Sequence, residues 1–196
     1  MAIHIMDAGA ELFQNNPMSV ICSIVCDHEQ QCAGHCVLGK KGNPVHFSSI
    51  ENYISDTYLD RMKLQIPEEK KKPVAVIRAG PAGLTVAIIL AQHGYKVTIF
   101  EQRHHLGGML RYGIPSYRFP REKLDAEIES ILSLGIEVHT GVTVGRDIWL
   151  EKLEQEYDCI YIAIGAHSDK KIGIEGEDAG GVISAVEFLR AIGDGK

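Results

Sequence analysis

The chain has 196 residues, of which 45% are apolar, and it carries a formal charge of −6. This length and composition are typical of a soluble globular protein with one main core and a smaller appended part. The acidic balance gives no general attraction to nucleic acid, and no apolar run reaches the roughly 20 residues that would cross a membrane. The N-terminus lacks the basic start and long apolar segment of a signal peptide, so we expect a cytoplasmic protein.

The cysteines are unevenly distributed. Four of the five lie close together, at Cys22, Cys26, Cys32 and Cys36, whereas Cys159 is far downstream. In a cytosolic chain such a cluster indicates metal or iron–sulfur ligation rather than a disulfide framework. Its spacing fits neither zinc pairs nor ferredoxin motifs closely. An iron–sulfur cluster, a single zinc ion and unligated buried cysteine therefore stay open, with a metal or cluster favoured over none.

The N-terminal third predicts a small helical domain. Residues 2–15 have a helical pattern, and a second helix is expected over residues 48–59, with Ser48 or Ser49 as its cap. The cysteine segment between them is rich in glycine, so we expect short turns there.

A charged, turn-rich segment at residues 60–72 predicts a linker, in which Lys70-Lys71-Lys72 is a solvated charge run. We therefore place a helical, cysteine-rich domain at residues 1–66 and a second domain at residues 73–196.

The second domain opens with a strand–turn–helix–strand pattern. An apolar run at residues 74–77 enters a turn with Gly80 and Gly83, and a later apolar run ends in Glu101. This layout is the dinucleotide-binding fingerprint: the helix N-terminus faces the pyrophosphate, and the acid accepts hydrogen bonds from a ribose. The alternative is a βαβ unit that binds nothing. Arg78, which replaces the first glycine of the motif, adds weight to that alternative.

The rest of the domain continues the alternation of helices and strands that a Rossmann-like fold requires. No catalytic residue is expected, because the sequence shows no Ser/His/Asp or Cys/His arrangement. In order, the expected features are a glycine-rich stretch at 106–115 without an element of its own, a helix at 121–134 ended by Gly135, a strand at 136–139, a helix capped by Asp147 and running through Leu153, a buried strand at 158–164 with Cys159 in the core, and a last helix at 184–192.

Ten short motifs follow one another along the chain. They are Asn16-Pro17, the four clustered cysteines, Ile50-Glu51, residues 80–83, Phe100-Glu101, residues 107–115, Val144-Gly145, residues 163–165, residues 176–178 and residues 181–189. In this order they resemble the N-terminal half of the flavin oxidoreductases typified by the small (β) subunit of bacterial glutamate synthase. The flavin half of dihydropyrimidine dehydrogenase and the large subunit of the electron-bifurcating transhydrogenases are relatives of that family.

The resemblance implies an α/β protein with a helical iron–sulfur domain followed by a Rossmann-like FAD-binding domain, which is incomplete here. Two 4Fe-4S clusters are implied, with Cys26, Cys32 and Glu51 as ligands of one and Cys36 reaching the other; Cys22 is a further candidate ligand. FAD is implied to contact Ala79, Gly80, Pro81, Ala82, Gly83, Glu101, Gln102, Gly108, Met109, Leu110, Arg111, Tyr112, Ile114, Val144, Ala163, Ile164 and Gly165.

The sequence also departs from the family pattern. Asp27, Ile164 and Glu175 replace residues that are usual in the family, and Arg78 replaces a glycine of the FAD turn. The family's upstream cysteines and its NAD(P)H domain lie outside this sequence. NAD(P)H is therefore expected only through a missing domain or a partner, and the chain is expected to be a subunit or fragment of a larger redox complex, without nucleic acid or membrane as a partner.

Three functions remain open. The leading one is an oxidoreductase module that passes electrons between NAD(P)H-reduced flavin and 4Fe-4S clusters. The alternative is a cofactor-poor scaffold in a larger redox complex, with its FAD site impaired by Arg78. A third is an interaction module in which the four cysteines hold one zinc ion.

Overall fold

The computed structural model describes residues 2–62, 64, 66–68 and 72–195. The centre of the expected linker, including Lys70 and Lys71, lies outside the described residues. None of the helices in the described part has the length and apolar character needed to cross a membrane.

Three helices form the N-terminal domain: α1 at Ala2–Asn15, α2 at Ser19–Val25 and α3 at Phe47–Leu59. The ring centroids of Phe13 on α1 and Tyr58 on α3 lie 5.2 Å apart. Asn52 of α3 donates a hydrogen bond to Ser23 Oγ of α2 at 3.1 Å. These contacts gather the three helices around α3.

The predicted cap of α3 was wrong. Neither Ser48 nor Ser49 caps α3, because the helix begins one residue earlier and its N-cap position is His46, without a side-chain cap. The cysteine segment begins on the short helix α2, which carries Cys22, and continues in turns. The carboxyl group of Glu127, on the distant helix α6, accepts hydrogen bonds from the Val20 and Ile21 N–H groups in the first turn of α2. Local sequence pattern does not reveal this contact.

A four-stranded parallel sheet forms the second domain, in the order β3-β2-β1-β4. Each crossover carries a helix, which is the doubly wound α/β arrangement. The elements are β1 at Pro73–Ile77, α4 at Pro81–Gln92, β2 at Lys96–Glu101, α5 at Met109–Tyr112, α6 at Arg121–Leu132, β3 at Glu137–Thr140, α7 at Leu150–Glu156, β4 at Cys159–Ile162 and α8 at Ala185–Gly193.

Apolar side chains fill both faces of this sheet. On one face Val76 and Ile99 pack against the buried sides of α4 and α6. On the other face Ala75 and Ile77 pack with Leu153 of α7. Met18 and Ile21 of the helical domain join the first cluster. The two domains therefore share one core, although the sequence between them has the composition of a linker.

The predicted fold class, a helical domain followed by a Rossmann-like domain, is confirmed, but three local predictions for the second domain were wrong. The glycine-rich stretch contains one helical turn, α5. Asp147 does not cap α7; its carboxylate accepts the Thr143 N–H at 2.8 Å and closes a turn.

The third wrong prediction is the burial of Cys159 and its strand. Both are exposed, because β4 lies at an edge of the sheet.

Candidate functional site

The turn from β1 into α4 forms an anion-binding environment. Pro81 is the first residue of α4, and Gly80 before it provides no side-chain cap. The N–H groups of Ala82 and Gly83, in the first helical turn, have no carbonyl one turn earlier. These N–H groups form the positive end of the α4 dipole. They lie at the carboxyl edge of the parallel sheet, where nucleotide phosphates bind in such folds.

Glycine is found at positions 80 and 83 of this turn for different structural reasons. A Cβ on Gly83 would lie 2.0 Å from the Arg78 carbonyl oxygen, so Gly83 lets α4 pack against the end of β1. A Cβ on Gly80 would come no nearer than 3.9 Å to Gly108 Cα, and the φ of Gly80 is −78°, which any residue adopts. Packing does not require glycine at position 80. Close approach of a ligand does explain it.

Two cavities lie side by side along this edge. The smaller, of about 300 Å³, contacts the start of α4, the Gly108–Met109 segment and the end of β4. The larger, of about 410 Å³, lies beyond the ends of β1 and β2 and reaches Val144. Both volumes fall in the range of ligand pockets, roughly 300–1,000 Å³. Four residues line both cavities: Arg78, Ile164, Gly165 and His167.

Arg78 is the exceptional residue of the site. Among the described residues it is the sole non-glycine with a positive φ, +84°. An L-residue in this conformation costs roughly 1–2 kcal/mol. Its Nη1 lies 3.2 Å from Glu101 Oε1, and its side chain is 16% exposed. The guanidinium therefore stands at the boundary between the two cavities and points across the groove to the acid of the fingerprint.

Glu101 is already engaged by protein donors. Its Oε1 accepts from Arg78 Nη1 at 3.2 Å and from the Arg103 N–H at 2.9 Å, and its Oε2 accepts from the Ala79 N–H at 2.8 Å. The residue is only 3% exposed. A ribose hydroxyl would have to displace Arg78 to reach Oε1. The turn and the smaller cavity thus fit a flavin phosphate, but the acid does not fit the adenosine ribose of FAD.

Two arginine side chains line the groove although the whole chain is acidic. Arg103 lies 4.5 Å above the centroid of the Tyr112 ring and pairs with Asp194 at 2.7 Å. Burial, followed by the charges of Arg78 and Arg190, lowers the pKa of His167. Arg78 and Arg103 supply the positive charge that an anionic ligand needs, although each is also paired with a carboxylate.

The predicted cofactor residues fall into three groups. Ala79, Gly83 and Leu110 are buried in the core, and Arg111 and Ile114 line a separate cavity of about 490 Å³ against α8. The third group lines the two cavities: Gly80, Pro81, Ala82, Glu101, Gln102, Gly108, Met109, Tyr112, Val144, Ala163, Ile164 and Gly165.

Some residues that line the groove were not predicted, because no local pattern marks them. Among them are Arg103, Val142, Thr143 and His167.

The clustered cysteines lie on α2 and in the segment that follows it. Cys22 is on α2, Cys26 follows its last residue, and Cys36 precedes a short 3-10 helix at Val37–Lys40. Cys26 and Cys32 are exposed. In the part of the chain that the structure describes, no three Cys, His, Asp or Glu side chains converge as ligands of one metal ion.

The environments of the candidate cluster ligands differ from one another. Hydrogen bonds from the backbone N–H groups of Val45, Gly39 and Leu38 lower the pKa of Cys36. The Cys32 Sγ lies 3.3 Å from His28 Nδ1. Burial raises the pKa of Cys22 and that of the Glu51 carboxyl on α3. N–H donors directed at sulfur are typical of iron–sulfur sites, so the surroundings of Cys36 fit a cluster ligand, whereas burial at Cys22 and Glu51 disfavours the ionised forms that bind metal.

Comparison with known families assigns a class to each domain. A family model described as dihydropyrimidine dehydrogenase domain II, 4Fe-4S cluster, matches residues 2–63. A second, described as an NAD(P)-binding Rossmann-like domain, matches residues 76–134. The chain therefore consists of a helical domain of the iron–sulfur type followed by a nucleotide-binding Rossmann-like domain.

Curated relatives narrow this class to a family. The chain is 34% identical to the glutamate synthase [NADPH] small chain of Escherichia coli, over 95% of this chain and 40% of that protein. It is 36% identical to the NADP(+)-dependent formate dehydrogenase subunit beta of Moorella thermoacetica, over 90% of this chain and 28% of that one. The chain belongs to the family of glutamate synthase small chain-like oxidoreductases and spans well under half the length of these relatives.

Solved structures agree with the fold. FprA of Mycobacterium tuberculosis in complex with NADPH matches 61% of this chain and 28% of its own, with a TM-score of 0.56 and 26% identity. A 2-naphthoyl-CoA reductase matches 72% of this chain and 21% of its own, with a TM-score of 0.53 and 23% identity, which shows the fold alone.

Proposed function

We propose that this chain is an electron-transfer module that carries a flavin nucleotide in the groove at the start of α4 and 4Fe-4S clusters on its cysteine segment. The observation that carries the proposal is the cavity of about 300 Å³ between the uncapped α4 N-terminus and Gly108. A bound flavin would accept a hydride from NAD(P)H and release single electrons to the clusters. The residues of this chain bind and orient these groups.

The contact between the domains supports passage of electrons within one chain. Helix α2, which carries Cys22, is fixed to α6 through hydrogen bonds of 3.2 Å from the Val20 and Ile21 N–H groups to the Glu127 carboxylate. Lys123, one turn earlier on α6, pairs with Asp56 of α3 at 2.8 Å. The cysteine helix and the nucleotide groove are thus held on the same core.

FAD is the flavin that the family resemblance implies, and its adenosine half would require Arg78 to leave Glu101. NAD(P)H would act through a further domain or a partner, as expected of a component of a larger redox complex. A cytoplasmic location is part of the proposal because it would keep these thiols reduced.

A second candidate function is supported by the Arg78–Glu101 ion pair. In this alternative the chain keeps the fold but holds no flavin, and it serves as a scaffold within a larger redox complex. The pair occupies Glu101 Oε1, an oxygen that a ribose would use, so it favours loss of FAD binding specifically.

The cysteine assignment predicts a selective loss of iron. After anaerobic reconstitution with iron and sulfide, Cys26→Ser and Cys32→Ser should each reduce bound iron and acid-labile sulfide to less than half, because a hydroxyl is a poor replacement for a ligating thiolate. Metal analysis and the visible absorption spectrum would measure this. Cys159→Ser is the matched control, since Cys159 lies on β4 in the other domain.

Iron content that is unchanged in Cys26→Ser and Cys32→Ser would contradict the assignment. Zinc bound in place of iron, with no visible absorbance, would instead support the interaction-module alternative.

A further inference from the structure

We propose that Arg78 changes the ligand of the groove from a dinucleotide to a flavin mononucleotide, whose terminal phosphate it binds together with the start of α4. This inference rests on the proposed function, because it takes for granted that a flavin occupies the smaller cavity. It concerns which flavin nucleotide that is.

The position of the guanidinium is the first argument. A dinucleotide continues from the pyrophosphate at the start of α4 to its adenosine ribose at the acid that follows β2. Arg78 lines both cavities, and its Nη1 donates to Glu101 Oε1 at 3.2 Å. It therefore occupies an acceptor that the adenosine ribose of FAD would use, while the part of the smaller cavity next to Gly80 and Gly108 stays accessible.

The charge of the ligand is the second argument. The phosphate monoester of a mononucleotide ends the molecule and carries up to about two negative charges near neutral pH, as a phosphorylated side chain does. Each phosphate of a pyrophosphate bridge carries only about one negative charge. The Nε and Nη2 atoms of Arg78 make no hydrogen bond to the described residues and remain available to such a group. Guanidinium donors and phosphate oxygens match in geometry.

The backbone at Arg78 is the third argument. A φ of +84° favours glycine, so arginine is kept here at a conformational cost. Non-glycine residues in such conformations occur preferentially at ligand-binding sites. Binding a phosphate gives the arginine a role that a passive ion pair with Glu101 does not require.

The test is a fluorescence titration of the full chain with FMN, FAD, riboflavin and AMP, for the parent, Arg78→Gly, Arg78→Lys and the exposed surface control Arg118→Gly. The parent should bind FMN at least about tenfold more tightly than FAD or riboflavin, since one charge-assisted hydrogen bond is worth about this factor. AMP should not compete with FMN. Arg78→Gly should weaken FMN and strengthen FAD by about tenfold each, Arg78→Lys should keep the preference for FMN, and Arg118→Gly should match the parent. Arg78→Gly removes the backbone strain, so circular dichroism should show it folded.

The outcomes separate this inference from the proposed function. Equal or tighter binding of FAD by the parent, or competition by AMP, would overturn the mononucleotide assignment and leave the flavin module intact. A parent that binds no flavin, together with an Arg78→Gly variant that gains FAD, would overturn the assignment and favour the scaffold. Failure of both proteins to bind any flavin would overturn the inference and the proposed function together.

Discussion

Replacement of Gly83 by alanine is expected to lower the free energy of unfolding by about 3 kcal/mol or more. The new Cβ would lie 2.0 Å from the Arg78 carbonyl oxygen and 3.3 Å from Val76 Cγ1. The first of these is backbone at the end of β1, which cannot rotate away. The gain in helix propensity from glycine to alanine is at most about 1 kcal/mol, so the clash dominates. Urea unfolding followed by circular dichroism would measure the loss.

Gly80→Ala is the matched control in the same turn. Its Cβ would meet nothing closer than 3.9 Å, so its stability should change by about 1 kcal/mol or less. Its affinity for flavin should nevertheless fall, because the methyl group enters the smaller cavity. If both variants unfold alike, or if Gly80→Ala binds flavin normally, our assignment of different roles to the two glycines is wrong.

The buried carboxyl of Glu127 is expected to make stability depend on pH. Burial raises its pKa from 4.5 to about 8, against the opposing effect of the Val20 and Ile21 N–H groups. Between these two values the folded state keeps a proton that the unfolded chain has lost. Stability should therefore fall as pH rises from 4.5 towards 8, and level off above that. Denaturant midpoints across this window would measure the slope.

Two substitutions define the contribution of Glu127. Glu127→Gln removes the titrating group and should flatten the dependence of stability on pH. Glu127→Ala leaves two buried N–H groups without an acceptor and should cost about 3 kcal/mol. Glu129→Gln, on the exposed side of the same helix, should behave as the parent. An unchanged slope in Glu127→Gln would show that the carboxyl does not titrate in this window.

The elements that follow from local pattern were predictable, and those that depend on distant partners were not. The βαβ unit could be identified because the alternation of apolar runs and glycines is local. The exposure of β4 could not, because an apolar strand has the same sequence at an edge as at the centre of a sheet. The first turn of α2 depends on Glu127, which lies more than 100 residues away in the sequence. The local sequence of α2 therefore could not predict that this helix forms.

The site shows the same division. Sequence identified Arg78 as the residue that departs from the fingerprint, since the motif fixes which residue types fit that turn. It did not reveal that the guanidinium contacts Glu101, because this depends on the backbone φ and on a side-chain rotamer. His167 and Arg103 reach the groove only through the tertiary fold, and neither belongs to a recognisable motif.

The central claim is that one chain connects a flavin to iron–sulfur clusters, and photoreduction of the reconstituted protein tests it most directly. The protein, loaded with flavin and with iron and sulfide, would be illuminated anaerobically with an electron donor that reduces flavin alone. We expect the visible absorbance of the clusters to bleach after the flavin is reduced, with an electron paramagnetic resonance signal of reduced clusters. Reduced flavin beside clusters that stay oxidised, or a chain that retains neither group, would contradict the account.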